Sequence, residues 1–211
     1  VEDTRKAMGL LAKSWREKIT IPLIAITGSN GKTTVKEMVT SILSTVSNVH
    51  ATSGNLNNDI GVPKTLFGLN KKHNYAVIEM GANHLGEIEW LSKISSPNIA
   101  VITQCAPAHL EGFKNVESIA KAKAEIFSGL QTSGTAIINA DDIYFDFWKN
   151  SCKEINQLTF GIKTKNADVR AENIKLSMDD LLINFTLIST HGSVGICLPM
   201  LGEHNVMNAL A

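Results

Sequence analysis

Residues 27–34, TGSNGKTT, place two glycines, a lysine and three threonines directly behind the apolar run PLIAI. Phosphate binding needs backbone N–H donors, a cation, and room for the chain to come close. Gly28 and Gly31 permit tight turns and close approach. A helix opening near Lys32 turns its unpaired N–H groups and positive dipole end toward an anion. Ser29, Asn30 and Thr34 belong to the same cradle. Lys32 can reach β- and γ-phosphates, and the Thr33 hydroxyl can sit on Mg2+. The spacing departs from the standard loop G-x-x-x-x-G-K-[ST], because the position five before Gly31 is Ile26. This shorter variant sets the chain apart from the standard GTPases and ATPases.

Further polar residues fall at the ends of other apolar runs. Glu79 closes YAVIE, His109 lies in QCAPAHLEGF after NIAVIT, and Asn139, Asp141 and Asp142 follow GTAIIN. In a parallel sheet the strand carboxyl ends share one edge, and ligands bind outside it. Glu79 can hold Mg2+ beside Thr33, or cap a helix, or face solvent. His109 is either a surface loop residue or a ligand, and Mg2+ prefers oxygen. Lys123 is the most informative residue. The helical pattern VESIAKAKAEIFSGL has an apolar face of Val116, Ile119, Ala120, Ile126, Phe127 and Leu130. At about 100° per residue Lys123 falls within that face, whereas Lys121 and Glu125 point the opposite way. A buried ammonium is costly unless it is paired or reaches a rim. Either its stem snorkels to the edge, or chemical modification turns the lysine into a ligand.

The elements that must position these groups alternate. PLIAIT, YAVIEM, NIAVIT and GTAIIN read as buried strands, with SNVHA as another candidate. Between them lie helical patterns: Val35, Met38, Val39, Ile42 and Val46, then 59–69, then Ile88, Leu91 and Ile94, then 116–130. A helix over 3–18 precedes them, capped by Asp3 or Thr4, with Met8, Leu11 and Trp15 on one face. This order predicts an α/β fold: a mainly parallel sheet flanked by helices, over residues 20–165. Beyond it, DVRAENIKL, LLINFTLIST and GSVGICLP predict a small antiparallel β meander over 166–200. Residues 201–211 read as the start of a helix.

Composition narrows the class. Apolar residues make up 44% of 211, which supports a sizeable core and argues against wholesale disorder. The formal net charge is +0 and no Lys/Arg block stands out, which argues against a nucleic-acid or membrane-surface protein. No apolar run is long enough to span a bilayer, and no signal peptide is visible. Cys105, Cys152 and Cys197 are odd in number and lack C-x-x-C spacing, so reduced thiols in a cytoplasm are expected. The chain opens on Val1 and stops within the apolar run NVMNALA, so a fragment of a longer protein is also expected.

Taken together, TGSNGKTT, GNLNNDIGVPKTL, EMGANHLGEI, AHLEGF, AKAKAEIF, NADD and LGEHNVMNALA resemble the Mur ligases, the ATP-dependent amide-forming enzymes of peptidoglycan synthesis. The similarity covers nearly the whole chain and is greatest to the branch that adds D-alanyl-D-alanine to UDP-N-acetylmuramoyl-tripeptide. It implies a central ATP-binding domain whose amino- and carboxyl-terminal partner domains are missing. It implies ATP and Mg2+, with Lys32 on the β/γ-phosphates and Thr33 and Glu79 on one Mg2+. It implies His109 on a second Mg2+. Lys123 matches the family's carbamylated lysine, an anionic ligand. Asn57 and Asn58 would line the substrate cleft, or cap the helix that follows. Asn205 and Asn208, on one helical face, would lie near adenine, and Asn139 and Asp141 beside the nucleotide pocket. A related ligase such as folylpolyglutamate synthase, or a non-catalytic nucleotide-binding module, are the other readings. The NLNNDIGVPKTL segment argues against folylpolyglutamate synthase.

Overall fold

The computed structural model describes residues 1–211 except 108–112, 114, 178 and 180. Helix α1 (Thr4–Arg16) opens on Asp3, whose carboxylate accepts from Arg5 N at 2.9 Å and Lys6 N at 3.0 Å. Its buried face is Gly9, Ala12 and Arg16, not the expected Met8, Leu11 and Trp15. Leu11 is 64% exposed. The small residues face inward because α1 lies close against its neighbours, with Gly9 on the Trp90 ring. The buried Arg16 guanidinium donates to Ser95 O at 3.1 Å, Ile21 O at 2.9 Å, and Ile19 O. Three carbonyls satisfy the charge and staple α1 to the entrance of the sheet.

Along the chain follow β1 (Leu23–Thr27), α2 (Lys32–Ser44), β2 (Val49–Ala51), α3 (Gly61–Phe67), β3 (Tyr75–Glu79), α4 (Glu87–Ser95) and β4 (Ile99–Ile102). Then come α5 (Val116–Ala124), a 3-10 turn (Glu125–Gly129), β5 (Thr135–Asn139), α6 (Phe145–Ser151) and β6 (Asn156–Gly161). The chain closes with β7 (Val169–Ser177), β8 (Leu182–Ser189), β9 (Gly192–Leu198) and α7 (Glu203–Leu210). One sheet holds all nine strands in the order β2-β3-β1-β4-β5-β6-β7-β8-β9. Every pairing from β2 to β6 is parallel, and β7, β8 and β9 pair antiparallel. The meander is continuous with the parallel sheet through Phe160↔Val169 and Gly161↔Arg170. β1 is buried at all five positions because helices cover both faces, which is why its sequence shows no alternation.

The expected helical and strand patterns therefore form the expected α/β fold, with two differences besides the inward face of α1. First, α6 and β6 complete the parallel sheet where no element was read. Both are short, and β6 is half-exposed along most of its length, so its apolar pattern is weak. Second, α2 turns Val35, Val39 and Leu43 to the sheet, while Ile42 and Val46 are exposed.

Trp148 on α6 is fully buried, and its indole N–H donates to Ala120 O at 3.0 Å. It joins α6 to α5, the helix that carries Lys123. Trp148→Ala is expected to lower unfolding free energy by about 3–5 kcal/mol in urea titration followed by circular dichroism. Trp148→Phe should lose clearly less. A loss below about 1 kcal/mol for the alanine variant would contradict this packing role.

Candidate active site

The loop between β1 and α2 is hung on the end of β4. Ser29 N donates to Gln104 O at 2.8 Å, Ser29 Oγ to Ala106 O at 2.9 Å, and Thr103 Oγ1 to Asn30 O at 2.6 Å. Gly28 and Gly31 take φ of +153° and +83°. A Cβ on Gly28 would collide with Thr103 Oγ1, and one on Gly31 with Asn208 Oδ1. Both positions thus need glycine for backbone shape and for space. The first N–H groups of α2 have no side-chain cap and stay available to an anion. Lys32 Nζ folds back onto Gly28 O at 2.8 Å and Ser29 O at 3.2 Å. Burial lowers the Lys32 pKa, and Glu79 pulls it partly back.

Glu79 ends β3, the strand beside β1, with Ile26 opposite it in register. It is 2% exposed, so it neither faces solvent nor caps a helix. Thr33 Oγ1 donates to its Oε2 at 2.8 Å and Asn57 Nδ2 to its Oε1 at 2.7 Å. Its own N–H donates to Thr52 Oγ1 at 2.9 Å. The neighbouring amides divide their work. Asn57 turns inward to Glu79, whereas Asn58 Oδ1 accepts from Gly61 N at 2.8 Å and caps α3.

A cavity of about 750 Å3 opens beside these groups, lined among others by Lys32, Asn55, Asn57, Glu87 and Lys123. Lys123 is 3% exposed and has no hydrogen-bond or ion-pair partner among the described residues. Burial first, and the Lys32 charge second, lower its pKa to about 8. Glu125 does not point to solvent as expected. Its carboxylate accepts from Gly86 N at 2.7 Å and Glu89 N at 3.2 Å, capping α4.

The other residues read from the sequence serve the rim's architecture. Asn139 donates to Thr103 O at 2.8 Å and accepts from Asp141 N at 2.9 Å, tying β4 to β5. Asp141 accepts from the N–H groups of Ile162, Lys163 and Thr164, and Asp142 from those of Cys105 and Tyr144. On α7, Asn208 Nδ2 donates to Asn205 Oδ1 at 3.3 Å, and Asn208 overlies Gly31. Thr34 sits in the first turn of α2, and His109 lies outside the described residues. Sequence reasoning missed Thr52, Thr103 and the buried Lys36. Lys36 had a signal: it neighbours Val35 on the inward stripe of α2, as Lys123 does on α5. Among the described residues no three His, Cys, Asp or Glu groups converge, and all three cysteines are free thiols. No helix among them is long and apolar enough to cross a membrane.

A parallel sheet with a glycine loop running into a helix, and a carboxylate at the end of the adjacent strand, defines a phosphate-loop α/β domain. The Mur ligase middle domain family matches residues 26–211, and the chain belongs to that family. It is 51% identical over its whole length to the UDP-N-acetylmuramoyl-tripeptide–D-alanyl-D-alanine ligase of Haemophilus influenzae. MurF from Acinetobacter baumannii superposes with a TM-score of 0.95 at 43% identity, covering the whole chain. MurF ligase from Thermotoga maritima, solved in complex with ADP, gives 0.86 at 26%, again over the whole chain. The chain spans 46% of the Haemophilus protein, 46% of the Acinetobacter chain and 48% of the Thermotoga chain.

Lys123 makes stability depend on pH. Its folded pKa of about 8 lies below the ordinary 10.5, so between these values the unfolded state binds more protons. Stability should rise with pH across that window, and below about 8 the desolvation penalty is complete. Lys123→Met removes the penalty. Its Tm at pH 7 should exceed the parent's by about 2–4 °C or more, the shift of roughly 1 kcal/mol in a chain of this size. The gain should shrink as pH rises toward 10.5, read by thermal melts in bicarbonate-free buffer. A gain independent of pH would exclude a charged Lys123 as its cause.

Proposed function

We propose that this chain is the ATP-binding part of an amide ligase that adds D-alanyl-D-alanine to UDP-N-acetylmuramoyl-tripeptide. The observation that carries the proposal is the convergence of Lys32, Thr33 and Glu79 from two adjacent strand ends, with Lys32 on the wall of the cavity. The identity to the Haemophilus ligase supports the substrate pair, and the ADP of the Thermotoga structure supports ATP. The carboxylate of the tripeptide attacks the γ-phosphorus of ATP, giving an acyl phosphate and ADP. The amine of D-alanyl-D-alanine then attacks the acyl carbon, loses a proton and expels phosphate. The remaining half of such a protein would supply the domains that hold the UDP-sugar and bring in the dipeptide. A cytoplasmic setting follows from these substrates.

The residues present fit Mg2+. Thr33 and Glu79 bring a hydroxyl and a carboxylate together at 2.8 Å, hard oxygen donors of the kind Mg2+ takes. When bound, Mg2+ neutralises phosphate charge and holds the reacting oxygens in line. His109 would hold a second ion, on the family resemblance alone. Lys32 exchanges the loop carbonyls for β/γ-phosphate oxygens. The α2 N–H groups face the phosphates, and Asn208 guards the loop from the nucleoside side. The free amine of Lys123 attacks CO2, forming an N–C bond and releasing a proton to water. The resulting carbamate replaces a repelling cation beside Lys32 with an anionic oxygen ligand.

The test uses the full-length protein with both peptide substrates, reading phosphate release. Lys32→Ala is expected to lower kcat at least 10²–10³-fold, the usual loss when one transition-state clamp is removed. Normal phosphate release by that variant would remove Lys32 from the mechanism. ADP formation stimulated by L-glutamate with a folate, and not by D-alanyl-D-alanine, would favour folylpolyglutamate synthase. Nucleotide binding with no stimulating acceptor would favour a non-catalytic module.

A further inference from the structure

Lys36 is 1% exposed, a lysine inside the α2 and β-sheet interface. Its Nζ donates to Thr52 O at 2.9 Å and meets Glu37 Oε1 at 2.6 Å. The Glu37 side chain is 65% exposed, so solvent reaches one partner and the ion pair adds little. The bond to Thr52 is different. Thr52 directly follows β2, donates its own N–H to Val77 O at 3.0 Å, and accepts the Glu79 N–H on Oγ1 at 2.9 Å. It also opens the loop that delivers Asn57 to the Glu79 carboxylate at 2.7 Å. Thr33 and Lys36 are three residues apart on α2, so they lie on one helical face, one turn apart. Thr33 grips the carboxylate of Glu79, and Lys36 grips the residue that holds its backbone.

We propose that Lys36 is a positioning residue that fixes Glu79 and the 52–58 loop against Thr33 by tethering Thr52 to α2. An apolar side chain would fill the same space beside Val35 without the desolvation penalty of a buried ammonium. What lysine adds there is the bond to the Thr52 carbonyl. Two tethers spaced one turn apart on a rigid helix set both the distance and the tilt of the β3 end. The consequence for metal binding rests on the proposed role of Glu79 as a Mg2+ ligand. The tether itself does not.

The experiment compares parent, Lys36→Met, Lys36→Arg and Thr52→Val in the full-length protein. One readout is amide hydrogen exchange at Glu79 and Asn57, and the other is Mn2+ affinity in the presence of ADP by electron paramagnetic resonance. Lys36→Met should speed exchange at Glu79 about tenfold or more and weaken Mn2+ about 10–100-fold, as loss of an outer partner of a metal ligand does. Lys36→Arg should recover most of both. Thr52→Val should reproduce the exchange effect and add little to Lys36→Met. A folded Lys36→Met with unchanged exchange and Mn2+ affinity within twofold of the parent overturns the proposal. Should Lys36→Met fail to fold, unchanged exchange and affinity in Thr52→Val overturns it equally. If the parent binds no Mn2+ with ADP, the metal role of Glu79 fails, and the exchange rates still decide the tether.

Discussion

The hydrogen bond from Thr33 Oγ1 to Glu79 Oε2, 2.8 Å long, is the contact on which the site depends. It joins residues forty-six apart in sequence. Only the parallel pairing of β1 with β3, which sets Ile26 opposite Glu79, brings the two chain segments to the same edge. A shift of one residue would turn Glu79 to the other face of the sheet. The buried runs LIAIT and YAVIE fix that register from both sides, since helices cover both faces and neither strand tolerates a polar residue in its middle. The chemistry at the rim is thus set by packing in the core. The glycine loop supplies donors, but the strand order supplies the carboxylate.

Burial also explains the behaviour of the charges. Lys32, half-buried, and Lys36 and Lys123, buried, come from two helices, and only Lys32 feels the Glu79 carboxylate. Each solves the desolvation problem differently. Lys32 bonds loop carbonyls, Lys36 bonds a strand-end carbonyl, and Lys123 has its pKa lowered to about 8. The first two solutions hold backbone in place. The third leaves an amine of which a far larger fraction is neutral near physiological pH than in an ordinary lysine, although most of it is still protonated, and the neutral fraction is nucleophilic.

The α/β order, the meander and the family were legible because they rest on apolar runs, turn residues and dense motifs. Lys123 was legible because a charge on an apolar stripe violates helical periodicity. The partners of Asn139 and Asp141 were not legible, since an asparagine or aspartate at a strand end looks the same whether it meets a ligand or a neighbouring loop. Here both amide functions of Asn139 and the carboxylate of Asp141 are occupied by the chain itself. Thr52 and Thr103 were hidden for a related reason. A threonine closing a strand is ordinary, and only the strand order shows which loop its hydroxyl meets. The inward face of α1 was misread because periodicity favours large apolar residues, whereas close helix contact selects Gly9 and Ala12.

Two lysines from different helices, Lys32 and Lys123, line one cavity. Lys32 and Lys123 repel one another, and that repulsion lowers the Lys123 pKa beyond the effect of burial. Glu79 offsets only part of the Lys32 burden and is already engaged by Thr33 and Asn57. A phosphate chain laid along the α2 N-terminus would pair both lysines at once and raise both pKa values. Its binding should then take up protons near pH 8, where Lys123 titrates. A carbamate on Lys123 removes the repulsion beforehand, so the same phosphate would bind with little proton uptake. Proton uptake on nucleotide binding, with and without bicarbonate, therefore separates a free Lys123 from a carbamylated one without reference to turnover.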